Sequence, residues 1–542
     1  MKFNYKYGGN SKVQNTANST SVNFAPDVLR DPTFFVGTLD KKIPFREAIS
    51  ALHYVVLADF NFQPKDNTAY LTWLKSQEEI WLADASVELS KLQSEIKNMQ
   101  CELQGLRSIR EKITRPYYKA QRKYFNYLYK RDMAAWYVLD PVITVHPDQV
   151  FFECFSKDES VYGKLSCGYG VFKDINEFKC GTTNIDYSDN LYQEFQKIRT
   201  YKETDFKIDP SGFDVKTTGE ENYKEVKIDL PDSWVRGFLQ VSSAMTSNKV
   251  SFELEAIDIA NFISVLKRNK ERKGPRSIKY ILKPGQPIVA IFEPWNIEVE
   301  CTQSIYKGEK EEEIKVWGRR RILLLERLLP ITNKFTVHLL GHGMPSFYIA
   351  HLTNEMYFTL GLSGWTANDW TQASQLDLLA PRGQVAATTM QTIYLELRKD
   401  WFNTETEIAK KLNLDVHTVK QSLATFTQAG KVIYDLKNKV YRVRELKRDG
   451  IDIESLRFSS ETDKEAYSLM QNGEVKKVKS NTADNKIIVN GLVSNQYESS
   501  VIIDNDLKII DGKCNCNYYY TNKMTKGPCA HILALRIAFD KK

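Results

Sequence analysis

The clearest hydrophobic rhythm in the chain is Leu89, Leu92, Ile96, Met99, Leu103 and Leu106, continued by Ile109 and Ile113. Apolar residues at alternating three- and four-residue intervals line one seam of a helix, so this stretch predicts a coiled-coil arm. Pro116 interrupts it, because proline has no N–H to give and crowds the preceding turn. A second helix is predicted over 117–137, crowded with Tyr and Phe, and the pair reads as an antiparallel hairpin or arm. With a short helix expected over 45–60, residues 26–139 form a helical region. Residues 1–25 are rich in Asn, Ser, Thr and Gly, lack an apolar pattern, and read as a loose tail.

Between 140 and 380 the period shortens. Strand-like runs are expected at 150–155, 162–172, 226–230, 238–241, 250–254 and 356–362, and Phe335, Val337 and Leu339 alternate. Short runs separated by turn residues predict a sandwich or barrel-like β-rich domain, with one helix at 256–267. From 381 to 447 a helical rhythm returns. One helix is expected over 386–399. Thr404 can cap a second over 405–412, with Glu407 closing a capping box. Asp415 can cap a third, which Gly430 stops. That helix buries Val416, Val419, Leu423 and Phe426 on one face, and two strand-like runs follow, joined at Lys437-Asn438-Lys439. Residues 448–484 read as a polar linker with a helical patch, and 485–542 as a last small unit.

Length and charge refine this picture. A chain of 542 residues is too long for one ordinary domain. No run of about 18 apolar residues occurs, so no membrane span is expected, and the N-terminus lacks the apolar core of a signal peptide. Cys101, Cys154, Cys167, Cys180 and Cys301 are scattered, which fits reduced thiols and a cytoplasmic location better than a disulfide framework. Net charge is +7, and nine basic residues between Arg107 and Arg131 stand against Glu111 alone. They interleave with Tyr117, Tyr118, Tyr124, Phe125, Tyr127 and Tyr129, a composition that can track a phosphate backbone. A solvated basic face over an aromatic core face accounts for them equally and is the reading preferred.

The sharpest chemistry lies at the end of the chain. Cys514 and Cys516 are followed after twelve residues by Cys529 and His531. Three thiolates and one imidazole are a full tetrahedral set for Zn²⁺, and with no position left open the metal would be structural. Residues two apart on a strand share a face, so Cys514 and Cys516 can address one ion. This stretch, with Pro528-Cys529-Ala530-His531-Ile532-Leu533, resembles the SWIM-type zinc finger over about 485–542. The resemblance implies one structural Zn²⁺ per chain held by Cys514, Cys516, Cys529 and His531, and DNA or protein binding without catalysis. Longer members are often encoded beside a MoxR-type AAA+ ATPase, so such an ATPase is the protein partner implied.

The helix, helix, turn, helix, hairpin order of 381–447 resembles the winged helix-turn-helix superfamily. There the third helix would offer His417, Thr418, Lys420 and Gln421 to base edges, and the hairpin Lys437, Lys439, Arg442 and Arg444 to phosphates. A docking role is the alternative for such a module. His338, His342 and His351 are a weak catalytic or metal candidate, because Gly341, Gly343 and Pro345 argue for strand and turn rather than a helix that would align His338 with His342. Cys154, Cys167 and Cys180, thirteen apart, lack a fourth ligand and read as buried small hydrophobes. No phosphate loop, dinucleotide fingerprint, nucleophile elbow or His-Glu-x-x-His occurs. The expectation is an α+β multi-domain protein: N-terminal helical/coiled-coil region, central β-rich domain, winged-helix-like segment and C-terminal zinc finger. Its expected function is non-enzymatic nucleic-acid binding, with possible DNA as ligand. An adaptor for an AAA+ ATPase is the alternative, and an enzyme with a site near His338 and His342 the second alternative.

Overall fold

The computed structural model describes, with short interruptions, residues 34–58, 141–184, 232–364, 385–446 and 461–540. It also describes parts of 192–208 and the strands Lys12–Asn15 and Ser19–Phe24. The chain divides into two units, Met1–Phe60 with Leu139–Lys542, and Asn61–Val138. The heptad arm, the helix expected over 117–137 and the strand expected over 226–230 lie outside the described residues. The first unit is mixed helix and sheet.

Its centre is an eight-stranded sheet in which Gln149–Phe155, Val161–Gly168 and Met356–Leu362 lie side by side, all antiparallel. These strands are buried along almost their whole length. Burial on both faces explains why they read as unbroken apolar runs rather than alternation. The helix Lys42–Leu57 packs on Val161–Gly168 through Phe45, Ile49, Leu52 and Val55, spaced as one helical face. A 3₁₀ segment, Arg319–Ile331, unforeseen in the pattern, packs against this helix and against Ala256–Arg268 with Ile322, Leu325 and Leu328 buried.

Two expectations fail here for physical reasons. The run at 238–241 is not a strand but the middle of the helix Asp232–Thr246. Trp234, Val235, Phe238, Val241 and Met245 are all buried at helical spacing, and a four-residue window cannot separate the two periods. The tail also holds structure: Ser19–Phe24 pairs parallel with Glu203–Ile208, and Lys12–Asn15 pairs antiparallel with Ser19–Phe24. A backbone ladder needs no apolar side chains, so composition hid it.

The first unit contains a similar order of elements twice, the first copy carrying one extra strand, Phe172–Lys179, that pairs antiparallel with Phe34–Leu39. The first copy runs through strand Phe34–Leu39, helix Lys42–Leu57, strands Val142–Val145, Gln149–Phe155, Val161–Gly168 and Gly181–Asn184, then strand Glu203–Ile208. The second runs through strand Val250–Glu255, helix Ala256–Arg268, strands Ser277–Leu282, Pro287–Phe292, Ile297–Ile305 and Glu312–Trp317, then strand Lys334–Leu339. In both copies the four middle strands lie in the same order across their sheet: third, second, first, fourth. In both, the last strand returns antiparallel to the first.

Two smaller groups complete the unit. Residues 387–443 hold helix Ala387–Asp400, strand Phe402–Asn403, helices Glu405–Leu412 and Val416–Gln428, and strands Val432–Asp435 and Val440–Val443. Val440–Val443 is the middle strand of three. Thr404 accepts the Glu407 N–H while the Glu407 carboxylate accepts the Thr404 N–H, and Asn413 takes the left-handed turn at φ 52. Ile393, Leu397, Ile408, Val419, Leu423 and Val432 form a core of their own. The last group runs from helix Glu461–Gln471 through four antiparallel strands, Val475–Ala483, Lys486–Val493, Tyr497–Asp504 and Ile509–Cys514, to helix Ala530–Asp540. The two helices pack together and Ala530–Asp540 crosses the sheet. At Gly491 a Cβ would come within 2.5 Å of the Leu535 side chain, so the helix lies close on the strand there. Part of the segment expected to be linker therefore belongs to this group; its Lys-rich strand Val475–Ala483 is largely exposed and reads as polar.

Candidate functional site

The C-terminal group brings four donors together. Cys514 ends the strand Ile509–Cys514, Cys516 caps the short helix Asn517–Asn522, and Cys529 and His531 flank the start of Ala530–Asp540. Their ligand atoms all lie within 4.8 Å of one another. Four donors around one ion at about 2.0–2.3 Å stand roughly 3.5–4 Å apart, so small adjustments close the shell. Two further observations fit a cation. Nδ1 of His531 is enclosed without a hydrogen-bond partner, and the ring rests on Tyr497 at 3.9 Å between centroids. Second, outer donors already face the sulfurs: Ser499 Oγ donates to Cys514 Sγ at 3.3 Å, and the Tyr519 N–H to Cys516 Sγ at 3.4 Å. Hydrogen bonds from Cys529, His531 and Ser499 push the Cys514 thiol down to about 3, while its sharing of protons with Cys514 pushes Cys529 up. A bound cation would let all three thiols ionise. The described residues contain no other group of three or more metal-ligating side chains brought together in this way.

The residues expected to meet nucleic acid divide. His417 and Lys420 are exposed near the start of Val416–Gln428, with Thr418 and Gln421 half-buried beside them. Lys437 and Lys439 are exposed at the hairpin tip. Arg442 and Arg444 are not available to a ligand, which corrects their assignment. Arg442 gives Nη1 and Nη2 to Asp148 at 2.8 and 2.9 Å and Nε to Asp435 at 2.8 Å. Arg444 gives Nη1 to Glu153 at 3.0 Å and Nη2 to Ser242 at 2.8 Å, with both ions of the Arg444–Glu153 pair fully enclosed. The hairpin is thereby bolted to the central sheet. Isolated charges inside apolar strands, Glu153 and Arg442 above all, were the signal for this network.

Around the bolts the electrostatics are those of a closed interface. Tyr162 donates to Glu153 at 2.7 Å and Tyr357 to Asp435 at 2.7 Å. Burial would raise the Asp435 carboxyl, but the charges of Lys164 and Arg442 and the hydrogen bonds from Tyr357 and Arg442 hold it well below the usual carboxylate range. His146 donates Nε2–H to the Val443 carbonyl at 2.7 Å. Burial, helped by the Arg442 charge, pushes it down to about 3.

The remaining candidates are separate. His338 Nδ1 meets Ser251 Oγ at 2.7 Å, His351 Nε2 meets Thr336 Oγ1 at 2.8 Å, and His342 sits edge-on to Trp317 at 5.1 Å. Cys154 faces the Leu52 carbonyl at 3.7 Å and Cys167 is buried. No helix among the described residues is long and apolar enough to cross a membrane.

No protein-family model matches the sequence, and no curated protein does. Solved structures similar over part of the chain include the PCNA2-PCNA3 complex from Sulfolobus tokodaii, at 9% identity and a TM-score of 0.28, covering 42% of this chain and 90% of that one. They include also the A. fulgidus PCNA bound by the C-terminal region of FEN-1, at 11% identity and a TM-score of 0.29, covering 42% and 89%. The Entamoeba histolytica proliferating cellular nuclear antigen follows at 11% identity and a TM-score of 0.27, with the same coverage. Scores this low assign neither fold nor function.

Proposed function

We propose that the chain is a non-enzymatic zinc protein that binds nucleic acid, with residues 387–443 as a winged-helix module and the C-terminal group as a SWIM-type finger. The observation that carries this reading is the exposed first turn of Val416–Gln428. His417 and Lys420 are exposed there while Val419 and Leu423 fill the core, so a ligand can be met without disturbing the fold. Asp415 caps this end by accepting the Thr418 N–H at 3.2 Å, so side chains rather than the helix end would meet phosphate. Lys437 and Lys439 add two cations on the hairpin. The ligand surface therefore comprises His417, Thr418, Lys420, Gln421, Lys437 and Lys439. The Cys₃His set favours Zn²⁺ among divalent metals, and its four protein donors leave no position for substrate.

Titration of labelled duplex DNA with the full chain at two salt concentrations tests this. Lys420→Ala, Gln421→Ala and Lys439→Ala combined should fold normally and bind more weakly. Each lost phosphate contact should flatten the slope of log affinity against log salt by roughly 0.9. No binding at either salt, or binding unchanged in the variant, would move the function to the adaptor role.

A further inference from the structure

The duplicated order of elements leaves one sheet edge filled in the first copy and open in the second. In the first copy the third middle strand, Val161–Gly168, is covered along its outer edge by Met356–Leu362 in a seven-residue antiparallel ladder. The equivalent strand of the second copy, Ile297–Ile305, ends its sheet, and among the described residues no strand pairs with its outer edge. It is nine residues long and carries no Pro, Lys or Arg, although the exposed Glu298 and Glu300 place two negative charges on it. A bulge against Pro287–Ile288 leaves Ile297–Cys301 as its regular run.

The strand that fills the first edge arrives in a definite way. Val250–Glu255, Lys334–Leu339, Ser346–Thr353 and Met356–Leu362 are four neighbours in sequence across the sheet, and Val161–Gly168 comes fifth. The first copy has the same number of strands in the same place: Phe34–Leu39, Glu203–Ile208, Ser19–Phe24 and Lys12–Asn15. There the fifth place, beyond Lys12–Asn15, holds no described strand. Among the described residues, the edge at Ile297–Cys301 and the place beyond Lys12–Asn15 are thus both open. One is what the other lacks.

We propose that a second copy of this chain fills this edge, with Ile297–Cys301 of one molecule beside Lys12–Asn15 of the next. The joint is head-to-tail, because two different surfaces meet. Its polarity follows from the ladders. Three successive antiparallel steps set Met356–Leu362 opposite to Val250–Glu255, so Val161–Gly168 runs with Val250–Glu255. In the first copy the steps are antiparallel, parallel and antiparallel, so Lys12–Asn15 runs with Phe34–Leu39. Holding the fifth strand to the same direction makes the joint between molecules a parallel pair. Such pairs are somewhat weaker than antiparallel ones, so association should depend on concentration.

Sedimentation velocity of the full chain over a wide concentration range is the first measurement, with association expected. Proline is then placed at Val299 and at Glu300 in turn, and at Val13 and Gln14 in turn. Alternate N–H groups point outward, so one of each pair blocks the edge without breaking the inner ladder. Each edge-blocked variant should sediment as a monomer alone. A mixture of a Val299 or Glu300 variant with a Val13 or Gln14 variant should give a dimer and nothing larger, because one complementary pair of edges survives. Where proline unfolds the chain, hydrogen exchange of the wild type decides: amides in both 12–15 and 297–301 should slow together as concentration rises. A wild type monomeric throughout, Val13 and Gln14 variants that both still dimerise alone, or protection at one segment only would each overturn the proposal.

Discussion

The two small groups after the central sheets solve one problem with different chemistry. Residues 387–443 form a small core of their own, whereas Val489, Val501 and Leu535 of the C-terminal group belong to the same buried cluster as the central sheet. The C-terminal group gathers Cys514, Cys516, Cys529 and His531 at one end of its sheet, where an ion would tie strand to helix. The 387–443 group has no such cluster; Arg442 and Arg444 tie its hairpin to Asp148 and Glu153, while Asp435 pairs with Arg442 within the hairpin. A metal staple is internal and separable, since it can be chelated away. A buried ion pair is shared with a neighbour, so breaking it leaves an uncompensated charge in the central sheet. Removal of each staple should therefore damage a different part of the molecule.

The largest effect should come from the metal. Structural zinc contributes on the order of 10–16 kcal/mol of apparent folding free energy in small fingers. Cys529→Ser or a strong chelator should lose stoichiometric zinc by elemental analysis and open the amides of the last two strands and Ala530–Asp540. Ile532, Leu533, Leu535, Val489 and Val501 are buried together, so partial helix content should persist. The central sheet should keep its protection. Equal zinc in the variant would break the metal side of the comparison.

Next is the buried pair. Arg444→Ala leaves Glu153 enclosed with Tyr162 as its partner, and an orphaned buried charge typically costs about 3–5 kcal/mol. Zinc content should not change. The double variant Glu153→Gln with Arg444→Met should lose clearly less than the single one, because neither ion remains. Equal losses in urea melts would show that packing, not charge, holds the hairpin.

How legible these staples were differs in the same way. The four metal donors could be found because a tetrahedral shell imposes residue type and spacing on neighbouring stretches. The ion pairs could not be matched from sequence, because Glu153 and Arg444 are far apart, although Glu153 inside an apolar run marks a buried charge. Arg442 and Arg444 followed Lys437 and Lys439 on a hairpin and were grouped with them by composition. Only pairing with Asp148 and Glu153 separates bolts from surface cations. The helices of 387–443 were legible through Thr404, Glu407 and Asp415, since caps act within a few residues. The duplicated sheets were not, since strand order is a long-range property.

Acid should act on the central sheet rather than on either group, and more gently. His146 is pushed down to about 3, His338 to about 3 and His351 to about 4, in each case chiefly by burial. Below an unfolded value near 6.5 the unfolded chain takes up protons that the folded chain refuses. Stability is thus full above that pH and falls as pH drops from about 6.5 toward 3–4. At pH 5.5 the loss is roughly 1 kcal/mol per histidine. Asp435, held low, adds to the loss only below its unfolded value near 3.8. Urea midpoints at pH 7.5 and 5.5 should differ less in His146→Gln than in the wild type. An identical difference would mean His146 is charged in the fold.

The smallest effect tests whether 387–443 has stability of its own beyond its bolts. Thr404 caps Glu405–Leu412, with Oγ1 accepting the Glu407 N–H at 3.1 Å. The Glu407 carboxylate accepts the Thr404 N–H at 3.1 Å, and these bonds hold Glu407 below its usual value. Both groups are exposed, so water replaces part of what is lost, and Thr404→Ala should cost about 1 kcal/mol. The group has a separate core in Ile393, Leu397, Ile408, Val419, Leu423 and Val432, so the loss should be felt there first. Hydrogen exchange should therefore speed up across Glu405–Leu412 and Val416–Gln428 while Gln149–Phe155 and Ala530–Asp540 keep their rates. If Gln149–Phe155 loosens equally, the hairpin and the central sheet unfold as one body and the bolts are part of a single cooperative core. If only Glu405–Leu412 changes, the helices stand apart, and the buried arginines position them without stabilising them.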